Sequence, residues 1–286
     1  MKIQKMQGIG NDFILYADFA ERTTPDDVRK ICDRNFGIGA DGVITVTDSR
    51  IPEAVYRMKY FNSDGSFAQM CGNGIRCFAK YLLDNNLVKS KGKIWVDTDA
   101  GIIIPEVLEN TESEAIVSVN MGRPIFYDSQ QVLLTPDDKG LVQFLFNNMK
   151  GTYVGMGNPH IIFFVEQGKA KQYAELYGSQ IENMRELFPQ KINIGFVEVQ
   201  DKKNLVVHVW ERGCGLTLAC GTNASAAFVA AVIHGFASTQ AKVHLPGGTL
   251  EMSWAGHDAP VFLTGPARNV FEIPSLNFIK EERSVR

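Results

Sequence analysis

Two stretches of this chain repeat each other in order and in spacing. Gly8-Ile9-Gly10-Asn11 returns as Gly155-Met156-Gly157-Asn158, and Gly37-Ile38-Gly39 is echoed by Asn193-Ile194-Gly195. Met70-Cys71-Gly72-Asn73 returns as Ala219-Cys220-Gly221-Thr222. Asn11 precedes Cys71 by 60 residues, and Asn158 precedes Cys220 by 62. Three echoes in one order imply a single α/β unit used twice, and 286 residues are enough for two such units. The expected arrangement sets the two units face to face across a cleft.

Hydrophobic patterning fills in each unit. β-branched and apolar runs predict strands at residues 3–6, 13–16, 43–47, 56–61, 93–97 and 115–120, and later at 152–154, 161–165, 195–199 and 205–210. A first helix opens at Thr24-Pro25-Asp26-Asp27, with a capping hydroxyl, a first-turn proline and two carboxylates at the positive end of the dipole. It is expected to run to about Arg34. A second follows Cys71, where Ile75, Phe78, Ala79 and Leu82 recur at helical spacing and Asp84-Asn85-Asn86 stops it. A third is expected over 174–186. The fourth, from Thr222 to His234 with Gly235 as its cap, is apolar on every side and so belongs inside a wrapped sheet.

Composition narrows the function. Twenty-nine basic against 32 acidic side chains give a formal charge of −3, without the basic excess of a nucleic-acid or anionic-membrane binder. No apolar run reaches the roughly 18 residues of a spanning helix, and the first residues carry no apolar signal segment. A cytoplasmic, reducing setting is the expectation. Five cysteines are few and odd in number, which argues against a disulfide framework and leaves room for reactive thiols.

The chemistry points to Cys71 and Cys220. Each stands directly before a helix, where the dipole and free N–H groups lower a thiol pKa from about 8.5 toward roughly 3.5–7.5. The same N–H groups suit a carboxylate, and Gly72 and Gly221 let a ligand approach the backbone. Two thiols flanking a bound carboxylate suit inversion at an acidic Cα–H: one takes the proton and the other returns it from the opposite face. No cofactor is needed for this.

Other readings fare worse. The pairs Cys71/Cys77 and Cys214/Cys220 are too widely spaced for a usual zinc knuckle, so no metal is expected, and Cys32, Cys77 and Cys214 read as non-catalytic. A Cys–His hydrolase using His160 leaves the duplicated cysteine unexplained. Gly37-Ile38-Gly39-Ala40-Asp41-Gly42 matches a dinucleotide fingerprint, but a helix precedes it and a strand follows, the reverse of what that motif needs. A non-catalytic amino-acid-binding module on the same cleft is the remaining alternative.

The motifs Met6-Gln7-Gly8-Ile9-Gly10-Asn11-Asp12-Phe13, Asn62-Ser63-Asp64-Gly65-Ser66, Met70-Cys71-Gly72-Asn73-Gly74, Gly157-Asn158-Pro159-His160, Glu211-Arg212-Gly213 and Ala219-Cys220-Gly221-Thr222 together resemble the diaminopimelate epimerase family. Asn73 favours this branch over the related proline racemases, which usually carry histidine there. The resemblance implies cofactor-independent epimerisation of LL- to meso-diaminopimelate, for lysine and peptidoglycan precursor synthesis. A related racemase with another substrate is the alternative within the class.

That resemblance implies Cys71 and Cys220 as paired acid and base, with His160 and Glu211 tuning them. It places Gly72, Asn73, Gly221 and Thr222 around the reacting carboxylate, and Asn11, Asn62, Asn158, Asn193, Glu211 and Arg212 on the rest of the substrate. Arg212 suits the distal carboxylate because its guanidinium can grip it bidentately. The implied fold is α+β, with two pseudo-symmetric domains, each a curved, mostly antiparallel sheet around a central helix. The domains are expected at residues 1–118 with 266–286, and at 119–265, the last strand running from Asn269 to Ile273. Phe271 falls at an implied dimer contact, so a homodimer is expected, with neither nucleic acid nor membrane as partner. Gly42, Phe67, Leu216, Asn223 and Ser225 depart from the commonest family pattern, which bears on selectivity and on the surroundings of Cys220.

Overall fold

A computed structural model describes residues 2–89, 91–256 and 258–276. The chain divides into two compact units, Met1–Val119 with Gly265–Arg286, and Asn120–Thr264. Among the described residues, both are mixed, largely antiparallel sheets with two helices each.

In the first unit, strands Ile3–Gly8 and Asn11–Ala17 form a hairpin with Gly8 opposite Asn11. Ile9 (φ 48°) and Gly10 (φ 88°) close it, the pair of positive angles a two-residue turn demands. Helix α1 (Pro25–Cys32) crosses to strand Gly42–Thr47, which runs parallel to Asn11–Ala17. Strand Tyr56–Asn62 returns antiparallel, and the short strand Phe67–Ala68 folds back on its end. The chain then enters helix α2 (Gly72–Asp84).

The second unit repeats that order of pairings. Strands Met149–Gly155 and Pro159–Val165 form the hairpin, and helix α3 (Ala170–Glu182) crosses to the parallel strand Asn193–Asp201. Strand Asn204–Glu211 returns antiparallel, the short Gly215–Thr217 folds back on it, and helix α4 (Gly221–Ile233) follows. In both units a strand that follows the second helix, Val96–Thr98 after α2 and Gln240–Leu245 after α4, pairs parallel with the returning strand.

Local chemistry explains the helices. Thr24 caps α1 in a reciprocal box: its hydroxyl accepts from Asp27 N at 3.2 Å, and the Asp27 carboxylate accepts from Thr24 N at 2.9 Å. Val28, Ile31 and Cys32 then pack with Ile14, Val43 and Phe61. Helix α4 is buried continuously from Asn223 to Ala231 and packs against six strands of its own unit. Removing Phe228 or Val229 from water contributes about 1.5–3 kcal/mol each.

Three expectations need correction. Helix α3 starts at Ala170, not Ala174, because its cap comes from outside the local sequence: Ala170 N donates to Glu198 Oε1, on a neighbouring strand, at 2.9 Å. The run 93–97 splits into Gly92–Lys93 and Val96–Thr98, since the two pieces pair with different strands, Glu106–Asn110 and Tyr56–Asn62. The last strand spans Val261–Ile273 rather than starting at Asn269. Its first part pairs with Gly248–Trp254 and its last part with Ile3–Gly8, and it also pairs with Glu114–Asn120.

Candidate active site

Cys71 and Cys220 are the N-cap residues of α2 and α4, in the same extended conformation: φ −139° and ψ 121° at Cys71, φ −136° and ψ 113° at Cys220. The N–H groups of the first turn, starting at Gly72 and Gly221, have no acceptor within their own helices. The local surroundings of the two sulfurs nevertheless differ.

Around Cys71 the polar groups form a chain. Its Sγ accepts from Gly74 N at 3.4 Å and donates to Asn11 Oδ1, which the hairpin turn delivers, at 3.6 Å. Asn73 Nδ2 donates to the same Oδ1 at 3.3 Å, and Asn11 Nδ2 donates to Asp41 at 2.6 Å. Arg76, fully buried, donates to Asn73 Oδ1 and Gly72 O at 3.0 Å each and to Pro266 O at 3.2 Å. Burial pushes its pKa down from the ordinary arginine value. Gly74 lets the helix head seat on the sheet: a Cβ there would come within 2.9 Å of Ile44 Cδ1. Asn62 ends its strand opposite Gly42 and donates to Ser66 Oγ at 3.0 Å.

Cys220 is 7% exposed, and its Sγ lies 3.4 Å from Thr222 Oγ1. Burial, and then the nearby Glu211 carboxylate, push its thiol well above the ordinary cysteine value. At Cys220 desolvation and a like charge thus oppose the lowering expected from the helix N-terminus. Thr217 Oγ1 holds Glu211 in place with a 2.5 Å hydrogen bond. Cys32 and Cys77, both buried, are also pushed up, to about 12, by desolvation, whereas Cys214 is exposed.

His160 is tied differently from expectation. Its Nε2 lies 2.7 Å from Asn158 Oδ1 and its Nδ1 3.2 Å from Asn223 Nδ2. Both ring nitrogens are engaged by amides, one on Asn158 and one on Asn223. The same geometry removes the proton acceptor a Cys–His hydrolase needs. Burial, reinforced by the Arg212 charge, lowers its pKa to about 3, so the ring is neutral.

Asn193 is buried and spends its amide on the backbone, donating to Pro159 O at 2.8 Å and accepting from Arg212 N at 3.0 Å. That fixes the turn carrying Arg212, whose Nη1 donates to Gln190 O at 3.1 Å. Among the described residues no carboxylate pairs with Arg212. Phe271 lies apart from these clusters, opposite Lys5 in the strand ladder and 47% exposed.

Asp41, Arg76, Thr217 and Asn223 belong to these clusters without having been singled out as site residues. Asn223 carried a signal, an amide inside a helix of mostly apolar residues. Among the described residues, no three His, Cys, Asp or Glu side chains converge as a metal site, and no helix is long and apolar enough to cross a membrane.

The chain matches the family model described as diaminopimelate epimerase over residues 3–127 and 152–270. It is 41% identical over 278 residues to a diaminopimelate epimerase from Halothermothrix orenii, covering 95% of this chain and 96% of that one. It is 42% identical over 280 residues to the enzyme of that name from Carboxydothermus hydrogenoformans, covering 95% and 98%. Among solved structures, a predicted epimerase from Pseudomonas aeruginosa aligns with a TM-score of 0.70 at 12% identity, over 96% of this chain and 99% of that one. A hydroxyproline epimerase from Agrobacterium vitis aligns at 0.65 and 13% identity, covering 96% and 91%. At such identities these structures speak for the two-domain fold alone. Sequence and fold agree, and the chain belongs to the diaminopimelate epimerase family.

Proposed function

We propose that this protein inverts one α-carbon of diaminopimelate, interconverting the LL and meso forms, with Cys71 and Cys220 as its two bases and no cofactor. The observation that carries this is the repeated device itself: a cysteine capping a buried helix in the same backbone conformation in each unit. Relatives named diaminopimelate epimerase at about 40% identity support the choice of substrate.

The reaction needs one sulfur on each face of the α-carbon. A thiolate takes the Cα proton, and the electron pair passes into the α-carboxylate, where first-turn N–H groups of the helices stabilise it. The opposite thiol gives its proton to the other face and becomes the thiolate. Atoms and charge balance, and the two cysteines end with protonation exchanged. Cys220, held protonated by burial and Glu211, enters as the acid. Cys71, with a backbone N–H on its sulfur, enters as the base. Arg212 takes the distal carboxylate, and Asn11, Asn73 and Asn158 supply amide contacts.

The reading carries two wider expectations: a homodimer with Phe271 at its contact, and a cytoplasmic setting that keeps both thiols reduced. In deuterated water the enzyme should place deuterium at Cα of diaminopimelate while interconverting its isomers. Cys71→Ala and Cys220→Ala should each lose about 10²–10⁴-fold in epimerisation. Full activity in both variants would sink the proposal.

A further inference from the structure

A buried amide in an apolar helix needs a reason. Asn223 stands in the first turn of α4, three residues after Cys220, and is fully buried, as is His160. We infer that Asn223 is a positioning residue: acting through His160, it holds Asn158 with its amide N–H groups turned outward, making Asn158 a donor to a substrate carboxylate rather than an acceptor for an ammonium. The inference rests on the epimerase reading for its substrate, but not for its geometry.

Three side chains form the relay. Asn223 Nδ2 lies 3.2 Å from His160 Nδ1, and His160 Nε2 lies 2.7 Å from Asn158 Oδ1. A neutral imidazole has one N–H and one bare nitrogen, so the relay has two consistent polarities. In one, Asn223 donates to Nδ1, and Nε2–H donates to Asn158 Oδ1. In the other, every bond reverses and Asn158 turns its carbonyl outward.

Gly195 decides between them. A Cβ on Gly195 would sit 2.6 Å from Asn223 Oδ1, so the oxygen abuts this glycine, and it has no hydrogen-bond partner among the described residues. A carbonyl oxygen against a Cα–H keeps a weak hydrogen bond. Reversal would press an NH₂ group against that Cα–H, hydrogen against hydrogen, and forfeit the weak bond. The first polarity therefore holds: Nδ1 bare, the proton on Nε2, and Asn158 Nδ2 left for a ligand. Burial keeps the ring neutral, so no second proton blurs the assignment.

Long-range proton–nitrogen NMR on the nitrogen-15-labelled full chain tests this, with His160 assigned by its loss in His160→Gln. The expected result is a proton on Nε2 and a bare Nδ1 from pH 5 to 8. A proton on Nδ1 in the wild type overturns the inference, whatever the variants do. Asn223→Gly and Asn223→Leu remove the donor to Nδ1, so His160 should then populate both tautomers. KM for diaminopimelate should rise about tenfold, the loss of one hydrogen bond to a charged group, while kcat changes less. A folded variant with unchanged tautomer and KM also overturns it. If the wild type shows the Nε2 proton but does not epimerise diaminopimelate, the substrate reading fails and the relay stands.

Discussion

The sulfur of Cys71 accepts the backbone N–H of Gly74 at 3.4 Å, whereas Cys220, in the same position on its own helix, lies beside a carboxylate. At Cys220 burial and the nearby negative charge favour the thiol, outweighing the hydrogen bonds its sulfur makes with Thr222 and Asn223. The repeated device is thus built with unequal partners. Cys71 should react with iodoacetamide before Cys220 at pH 8, read by site-resolved mass spectrometry, with exposed Cys214 as an internal reference. Glu211→Gln removes the negative charge that helps raise the Cys220 pKa, so Cys220 labelling should accelerate in that variant while Cys71 labelling stays unchanged. Equal rates for both thiols in the wild type would contradict the asymmetry.

His160 links stability to acid. Its pKa falls from 6.5 in the unfolded chain to about 3 in the folded one. Between those values the unfolded state binds the proton and the folded state does not. The contribution is therefore complete above pH 6.5 and is lost as pH falls toward 3, by about 1.4 kcal/mol per pH unit within the window. Urea midpoints of wild type and His160→Gln, measured from pH 7 down to 4, should converge as the pH drops. A constant gap would mean that His160 does not titrate in this way.

Arg76 is a fully buried cation bonded to three neutral oxygens, on Gly72, Asn73 and Pro266. Its guanidinium spreads donors over three nitrogens, a wider span than the single nitrogen of a lysine covers. Arg76→Lys should leave one or two of those buried oxygens without a donor and lower unfolding free energy by roughly 1–3 kcal/mol for each. Epimerisation should fall with it, since Asn73 loses the bond that sets its amide. An unchanged melting curve would show that the three bonds carry no net stability.

The duplication, the capped helices and both cysteines are legible in the sequence because each rests on residues close together in the chain. Thr24 with Asp27, or Cys71 with the stripe from Ile75 to Leu82, are local statements. What stays hidden depends on partners distant in sequence. Glu198 caps α3 from another strand and moves its start by four residues. Asn193 resembles a substrate contact, yet its amide holds the backbone at Pro159 and Arg212. His160 resembles a thiol's tuner, but Asn158 and Asn223 occupy its ring. A family pattern names positions; which neighbour takes each hydrogen bond is decided only when the strands pair.

Glycine marks one more such distant constraint. A Cβ on Gly178 in α3 would stand 2.5 Å from the Trp210 ring, which anchors itself by donating from Nε1 to Glu182 at 2.8 Å. The helix can approach strand Asn204–Glu211 only because position 178 has no side chain. Gly178→Ala gains helix propensity of up to about 1 kcal/mol, yet overpacking against a held indole costs typically 1–3 kcal/mol. The net change should be destabilising, with a lower thermal midpoint. Trp210 leads directly to Glu211 and Arg212, so displacing it should also raise KM for diaminopimelate. A stabilised Gly178→Ala protein with native KM would mean that the indole moves aside without cost.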